Sequence, residues 1–323
     1  MTQSARFTVR PSLVRRIALA SIIANVGIVV TGGAVRLTAS GLGCPTWPRC
    51  TDESYVSTAE MGIHGVIEFG NRLLSFAVGF VALAALIAVL LHRPRRRSLV
   101  LLALAVLVGI VVQAVIGGIT VHTDLHPMIV GIHFVGSMAL LVLTYALWRR
   151  IGESDGPKVR TVPGPMYALV WITTAVSAAV IVIGTLVTGS GPHAGDADAQ
   201  RNGLDPETIS QVHADLVFLL IGLTVALWLA LKAVGAPPGA VRAAAMLLVV
   251  ELAQGVLGFV QYLTDLPVLL VGLHMLGACL VWLATLAVLW STRERPPVGP
   301  VTAPPVGPGD PAARADRELA PAG

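Results

Sequence analysis

Eight long apolar stretches restrict the fold of this chain more than any other feature of its sequence. Each is roughly 20 residues long, the length that a helix needs to cross about 30 Å of hydrocarbon. Hydrophobic residues make up 55% of the chain and charged residues only 12%, which is typical of a protein surrounded by lipid. We therefore predict an all-α polytopic membrane protein with eight transmembrane helices near residues 14–37, 66–91, 98–120, 127–148, 164–187, 209–231, 240–262 and 268–291.

The positive charges predict the orientation of these helices. Lys and Arg cluster before the first stretch and after the second, fourth, sixth and eighth, and such clusters stay on the cytoplasmic side. Both termini are then cytoplasmic in the cell membrane, and the loops 38–65 and 188–208 face outward. The first stretch is too long for a cleaved signal peptide. The net charge of +4 is accounted for by topology and gives no reason to expect nucleic acid as a partner.

An internal repeat divides the chain. Residues 111–137 match residues 252–278 without a gap, and identical residues recur 141 positions apart, as in 254 − 113 = 141. The pairs include Gln113 with Gln254, Gly117 with Gly258, His133 with His274 and Gly136 with Gly277. We predict two repeated four-helix bundles, residues 1–150 and 151–295, followed by a Pro- and Gly-rich disordered cytoplasmic tail, 296–323.

Two of the three cysteines, Cys44 and Cys50, lie together in the first outward loop. Because the outer side of the membrane is oxidising, a disulfide is the natural interpretation. A metal site is the alternative, but no His or third Cys stands beside the pair to complete it.

Three histidines enter the membrane at a similar depth. His133 and His274 lie about six residues into the fourth and eighth helices, and His213 lies at a comparable depth in the sixth. Histidines at one depth can supply axial nitrogens to a haem iron, and we expect Gly136 and Gly277 to leave room for the edge of the ring. A lone membrane His is often only a hydrogen-bonded packing residue, and another metal centre stays open.

The repeat places Asn71 opposite His213 in the second helix, since 213 − 71 = 142. The nearest histidine, His64, lies two turns outward and precedes the predicted helix. His64, Glu68, Asn71 and Arg72 share one helix face, so this half has a modified and charged site. A purely structural ion pair between Glu68 and Arg72 is the alternative. Arg36 either binds a propionate or anchors its helix, and the role of His193 stays open.

These residues carry a resemblance to a known family. The motifs VRLTASGLGCPTWPRC (35–50), EFGNR (68–72) and TGSGPHAGD (188–196), together with His133 and His274, resemble the haem A synthases, membrane enzymes that make haem A from haem O. The resemblance extends over nearly the whole chain, up to about Arg295. It implies a haem b cofactor held by His213 and His274 in the C-terminal half. It also implies a haem O substrate in the N-terminal half, with Glu68 as the catalytic candidate.

One position departs from the family pattern. The usual Glu-x-x-His-Arg reads here as Glu68-Phe-Gly-Asn71-Arg72, so one ligand of the substrate iron is replaced. Either His64 substitutes for it or haem O is bound through His133 alone, which leaves one face of the iron open. Arg72 either keeps Glu68 ionised or binds a propionate of haem O.

The resemblance implies an oxidoreductase that converts the C8 methyl of haem O to a formyl group and so provides haem A for terminal oxidases. The haem b would transfer electrons, because an iron with two His ligands has no free coordination position. The resemblance also implies a haem O synthase as a partner, while the electron donor and the oligomeric state stay open. The alternative function is that of a membrane cytochrome b with two His ligands, which would not need Glu68.

Overall fold

A computed structural model describes residues 9–297, and eight long α-helices dominate it. All eight are long and apolar enough to cross a membrane. The predicted membrane-spanning fold is therefore confirmed, and no predicted helix end is wrong by more than four residues. The helices are α1 (Pro11–Leu37), α2 (Gly62–Leu91), α3 (Arg97–His122), α4 (Pro127–Ile151), α5 (Gly164–Ser190), α6 (Pro206–Ala233), α7 (Pro238–Leu263) and α8 (Val268–Ser291).

Local sequence explains where the helices begin and end. Proline lies in the first turn of α1, α4, α5, α6 and α7, where it removes a backbone N–H that has no helical partner in any case. Asp205 caps α6 by accepting a 2.8 Å hydrogen bond from the Thr208 backbone N–H, and its bonds to Thr208 lower the pKa of Asp205. The turns after α3 and α7 both place an Asp-Leu pair at positive φ, so the repeat extends to backbone conformation.

The helices form two neighbouring groups. Helices α1–α4, here called the N-terminal half, pack in a ring of sequential neighbours closed by α1 against α4. Helices α5–α8, the C-terminal half, pack in the same way and are closed by α5 against α8. The two halves meet where α1 and α4 contact α8 and where α4 contacts α5. At this junction Trp282 donates a 3.0 Å hydrogen bond from Nε1 to the backbone oxygen of Met138.

Large apolar side chains cover the outer surface of the helices. Phe80, Leu263 and Leu269 are 70%, 77% and 72% exposed. Such surfaces are stable in hydrocarbon and costly in water, as expected for a multi-pass membrane protein. The short strands β1 (Val159–Arg160) and β2 (Arg293–Glu294) pair antiparallel at the end that carries most of the arginines, here called the arginine end. The predicted tail lies outside the described residues, apart from residues 296 and 297.

Candidate functional site

Three imidazoles lie near the end of the bundle opposite the arginine end, here called the histidine end. His133 and His274 each lie six residues after the first residue of α4 and α8, and His213 lies seven residues after the first residue of α6. At 1.5 Å per residue, each ring is roughly 10 Å from the start of its helix. Each Nδ1 atom is buried and has no hydrogen-bond partner among the described residues. Three buried, unpartnered imidazole nitrogens at one level are a costly arrangement for a protein without a ligand there.

A glycine of the preceding helix lies directly against each ring. A methyl carbon added at Gly117 would lie 3.5 Å from Cε1 of His133, one at Gly184 3.2 Å from Cε1 of His213, and one at Gly258 3.3 Å from Cε1 of His274. Because Gly117, Gly184 and Gly258 have no side chains, the three imidazole rings can lie directly against α3, α5 and α7. We did not identify these glycines from the sequence, although Gly117 and Gly258 are a repeat pair.

The prediction that Gly136 and Gly277 leave room for a haem edge is wrong. A side chain at Gly136 would overlap the amide of Gln113, and one at Gly277 would overlap the amide of Gln254. Positions three residues apart lie on nearly the same side of a helix, so these glycines face the same preceding helix as the imidazoles, and the glutamine amides of that helix fill the space beside them. They admit the glutamines instead, and Gln254 donates a 2.8 Å hydrogen bond to the backbone oxygen of His274.

The two halves differ at one position of the repeat, where the C-terminal half has His213 and the N-terminal half has Asn71. In the C-terminal half, His213 lies seven residues after the start of α6 and His274 lies six residues after the start of α8, so the two imidazoles lie at similar depths. In the N-terminal half, Asn71 lies beside Gly32 of α1, and a methyl carbon added at Gly32 would lie 3.8 Å from Nδ2 of Asn71. Asn71 therefore contacts α1 as His213 contacts α5. Its Oδ1 accepts a 2.8 Å hydrogen bond from Thr31.

His64 lies apart from this level. Our expectation that it precedes the second helix is wrong, because α2 begins at Gly62 directly after a 3-10 turn, Ala59–Met61. The positive φ of Gly62 (56°) allows this sharp entry into the helix. The side chain of His64 is exposed, and its Nδ1 is 2.9 Å from the hydroxyl oxygen of Ser40.

Glu68 and Arg72 form an ion pair, which the sequence left open as an alternative, with Arg72 Nη2 2.5 Å from Glu68 Oε1. The other oxygen of Glu68 accepts a 2.6 Å hydrogen bond from the backbone N–H of Cys44. Arg72 also donates to the backbone oxygens of Cys44, Thr46 and Arg49, each at 3.0 Å. Glu68 is only 6% exposed. The pair thus holds the first outer loop against α2.

The predicted disulfide between Cys44 and Cys50 is present in this loop, and both cysteines are fully buried. Beside it, Arg36 donates hydrogen bonds to the backbone oxygens of Thr188 (2.8 Å) and His193 (2.5 Å) in the second outer loop. The Nε2 atom of His193 is 2.9 Å from the backbone oxygen of Leu266. The outer loops therefore connect the two halves above the imidazoles.

The donor set fits haem. Among residues 9–297, no three His, Cys, Asp or Glu side chains come together in a group that could hold a metal ion alone. A porphyrin supplies four nitrogens to its own iron, so one or two imidazoles per site are enough. The imidazoles lie at similar depths in α4, α6 and α8, so a ring at that level could be reached from more than one helix.

Comparisons with known proteins agree with this chemistry. The family model COX15-CtaA, described as a cytochrome oxidase assembly protein, matches residues 15–286. The chain is 28% identical over 326 residues to a heme A synthase of Bradyrhizobium sp. (strain ORS 278), covering 83% of this chain and 88% of the relative. It is 30% identical over 165 residues to a heme A synthase of Bacillus cereus (strain AH187), covering 50% and 52%. A heme A synthase of Exiguobacterium sibiricum is 25% identical over 131 residues, covering 39% and 43%.

Proposed function

We propose a separate role for each half of this protein, which belongs to the COX15-CtaA family of cytochrome oxidase assembly proteins and functions as a haem A synthase. The C-terminal half holds a haem b cofactor between His213 and His274. The N-terminal half holds the substrate, haem O, on His133. The observation that carries this division is the set of three imidazoles at one level, each against a glycine of the preceding helix, with Asn71 in the fourth position.

In the C-terminal half, the side chains serve to hold and orient a ring. His213 and His274 would hold the haem b, and Gly184 and Gly258 allow their rings to lie close to α5 and α7. Gln254 fixes the backbone of His274 through its 2.8 Å hydrogen bond. A haem held in this way supplies electron transfer and has no free coordination position. We therefore assign the oxidation of the substrate to the other half.

In the N-terminal half, His133 is the one imidazole at the level of the site, and Asn71 provides an amide where the C-terminal half has His213. The amide of Asn71 is held by Thr31 and is not a normal iron ligand. One face of the substrate iron would then be free during the oxidation of the C8 methyl to a formyl group, which removes four electrons, adds one oxygen atom and needs an oxidant from outside the protein, such as dioxygen. The reaction class that follows is that of an oxidoreductase.

Glu68 is our candidate for the catalytic carboxylate. It lies three residues before Asn71 on α2, nearly one helical turn toward the histidine end, and accepts a proton in this assignment. Arg72 contacts Glu68 and the loop rather than open space, so we propose that it keeps Glu68 ionised and in place. This assignment replaces the alternative of a propionate contact for Arg72.

We assign His64 a smaller role than His133 in the binding of haem O. Its Nδ1 contacts Ser40, and it lies seven residues outward of Asn71, about 10 Å along the helix. We propose that it is at most an alternative ligand for haem O. We further propose that the protein lies in the cell membrane with both termini cytoplasmic, and that a haem O synthase supplies its substrate there.

The test is conversion of haem O by the purified full-length protein in detergent. With haem O and a chemical reductant in air, the wild type should form haem A, detected by its shifted pyridine haemochrome spectrum. His133→Ala should abolish conversion, whereas His126→Ala, which changes a histidine at the start of the same helix, should not. If the wild type keeps a spectrum of two-His haem but converts no haem O, the protein is the alternative, an electron-transfer cytochrome b. Full conversion by His133→Ala would remove the substrate assignment.

A further inference from the structure

An open groove lies at the arginine end of the bundle, between the first turns of α1 and the last turns of α4. Its walls include Arg15, Arg16 and Leu19 from α1 and Trp148 and Ile151 from α4. It is distant from the three imidazoles, which lie near the opposite end of the bundle on α4, α6 and α8. We call it the α1–α4 groove.

Guanidinium groups surround one indole at this groove. Arg15 lies over the ring of Trp148 at 5.1 Å, and Arg149 lies 5.9 Å from the same ring. Each distance is within the range of a cation–π contact. Tryptophan is also enriched at the boundary between hydrocarbon and lipid headgroups. The contacts hold two cations beside an indole at the arginine end of the bundle.

Other arginines at the same end are neutralised by carboxylates. Arg96 is 2.9 Å from Asp155, Arg150 is 2.9 Å from Glu153, and Arg295 is 3.7 Å from Glu153. The hydrogen bond from Arg96 is the largest cause of a lowered pKa at Asp155. Within residues 9–297, Arg15 and Arg16, which line the groove, and Arg149 beside its indole form no ion pair, and the same is true of Arg95, Arg97 and Arg242 elsewhere at this end. The groove therefore carries an excess of positive charge.

On the side of the arginines that faces the membrane centre, the groove is apolar. Leu19 lies four residues deeper than Arg15, about 6 Å toward the membrane centre, and is 41% exposed. Ile151 lines the rim of the groove as the last residue of α4, two residues nearer to the arginine end than Arg149. A ligand that fits must therefore present an anion to the arginines and a hydrocarbon chain to Leu19. Charge complementarity excludes a zwitterionic lipid as the preferred ligand, since its own cation would meet three guanidiniums.

We propose that the α1–α4 groove is a binding site for one anionic phospholipid. Arg15 and Arg16, which line the groove, bind its phosphate together with Arg149, which lies beside the same indole, and one acyl chain lies along Leu19. Each guanidinium near an anionic headgroup contributes about 1 kcal/mol, which is roughly fivefold in affinity, so the three together give roughly a hundredfold. The proposal does not depend on the haem chemistry of the opposite end.

Native mass spectrometry of the delipidated full-length protein tests this site. Phosphatidylglycerol is titrated against the protein in a neutral detergent, with phosphatidylcholine of the same acyl chains and inorganic phosphate as separate ligands. The wild type should bind one phosphatidylglycerol roughly a hundredfold more tightly than phosphatidylcholine. Arg15→Gln/Arg16→Gln/Arg149→Gln should lose this preference, and each single variant should lose about fivefold.

A matched triple variant separates the groove from general charge. Arg95→Gln/Arg97→Gln/Arg242→Gln removes the same charge at the same end and should keep the wild-type affinity. Equal losses in the two triple variants would show that only net charge matters and would overturn the proposal. Equal binding of phosphatidylcholine, or competition by inorganic phosphate at similar concentration, would overturn it too. If the groove triple variant does not fold, the single variants decide: unchanged affinity in all three removes the site.

Discussion

The two halves of this protein share a scaffold but differ in the residues that would decide whether iron can react. In the C-terminal half, His213 and His274 each lie against a glycine. In the N-terminal half, His133 has the same surroundings, but Asn71 takes the place opposite to it. One duplicated framework can thus offer a site with two imidazoles and a site with one.

The loops above the two sites differ as well. Glu68 and Arg72 hold the disulfide loop of Cys44 and Cys50 over the N-terminal half. In the C-terminal half, the buried carboxylate is Glu251, near the middle of α7, where it accepts a 2.9 Å hydrogen bond from Thr224. Its position in the repeat corresponds to Ile110, since 251 − 141 = 110. Among the residues that the structure describes, the buried ion pair near the outer loops, Glu68 with Arg72, belongs to the half that we assign to the substrate.

The largest effect is expected from the ligands of the C-terminal half. His213→Ala or His274→Ala removes one of two axial nitrogens, and the low-spin haem b absorbance of the purified protein should disappear or change to a high-spin form. His122→Ala, which changes a histidine at the end of α3, should leave the spectrum unchanged. A normal low-spin spectrum in both ligand variants would end the assignment.

The next largest effect distinguishes the contribution of Glu68 to haem A formation from that of His64. Glu68→Gln keeps the shape of the side chain but cannot accept a proton as a carboxylate does, so haem A formation should fall about a hundredfold or more. His64→Ala should reduce it only severalfold, because this side chain is exposed and contacts Ser40. Full activity of Glu68→Gln would make the ion pair purely structural. A loss of haem O binding in His64→Ala equal to that in His133→Ala would make His64 a full ligand.

A smaller effect concerns the outer loop of the N-terminal half. Thiol labelling of the unreduced wild type should not reach Cys44 or Cys50, and labelling after reduction should reach both. Arg72→Gln removes the donor to three backbone oxygens of the loop, so reduction and labelling should become severalfold faster. Arg49→Gln is the control within the loop. Ready labelling of the wild type without reductant would contradict the disulfide.

The smallest effect compares the glycines behind the imidazoles. An added methyl group would lie 3.2 Å from His213 at Gly184 but 3.5 Å from His133 at Gly117. Gly184→Ala should therefore weaken haem b retention a few fold, whereas Gly117→Ala should leave haem O binding nearly unchanged. Alanine favours a helix by up to about 1 kcal/mol over glycine, so neither variant should lower thermal stability through its backbone. Equal losses of haem b retention in Gly184→Ala and of haem O binding in Gly117→Ala would contradict this difference between the halves.

Much of this arrangement follows from the sequence. Apolar length predicts the eight helices, and the repeat predicts that Asn71 takes the place of His213. The packing glycines were harder to predict, because a one-dimensional pattern does not show that Gly117 faces an imidazole while Gly136 faces Gln113. The loop contacts of Glu68 and Arg72 were also not predicted, since they join α2 to backbone atoms more than 20 residues earlier in the chain.

Electron paramagnetic resonance of the full-length protein with haem b and haem O bound tests the difference between the halves most directly. We predict one low-spin signal from the two-imidazole site and one high-spin signal from haem O on His133. Asn71→His should convert the high-spin signal into a second low-spin signal, because it completes the second pair of imidazoles. Two low-spin signals from the wild type, unchanged by Asn71→His, would contradict the account.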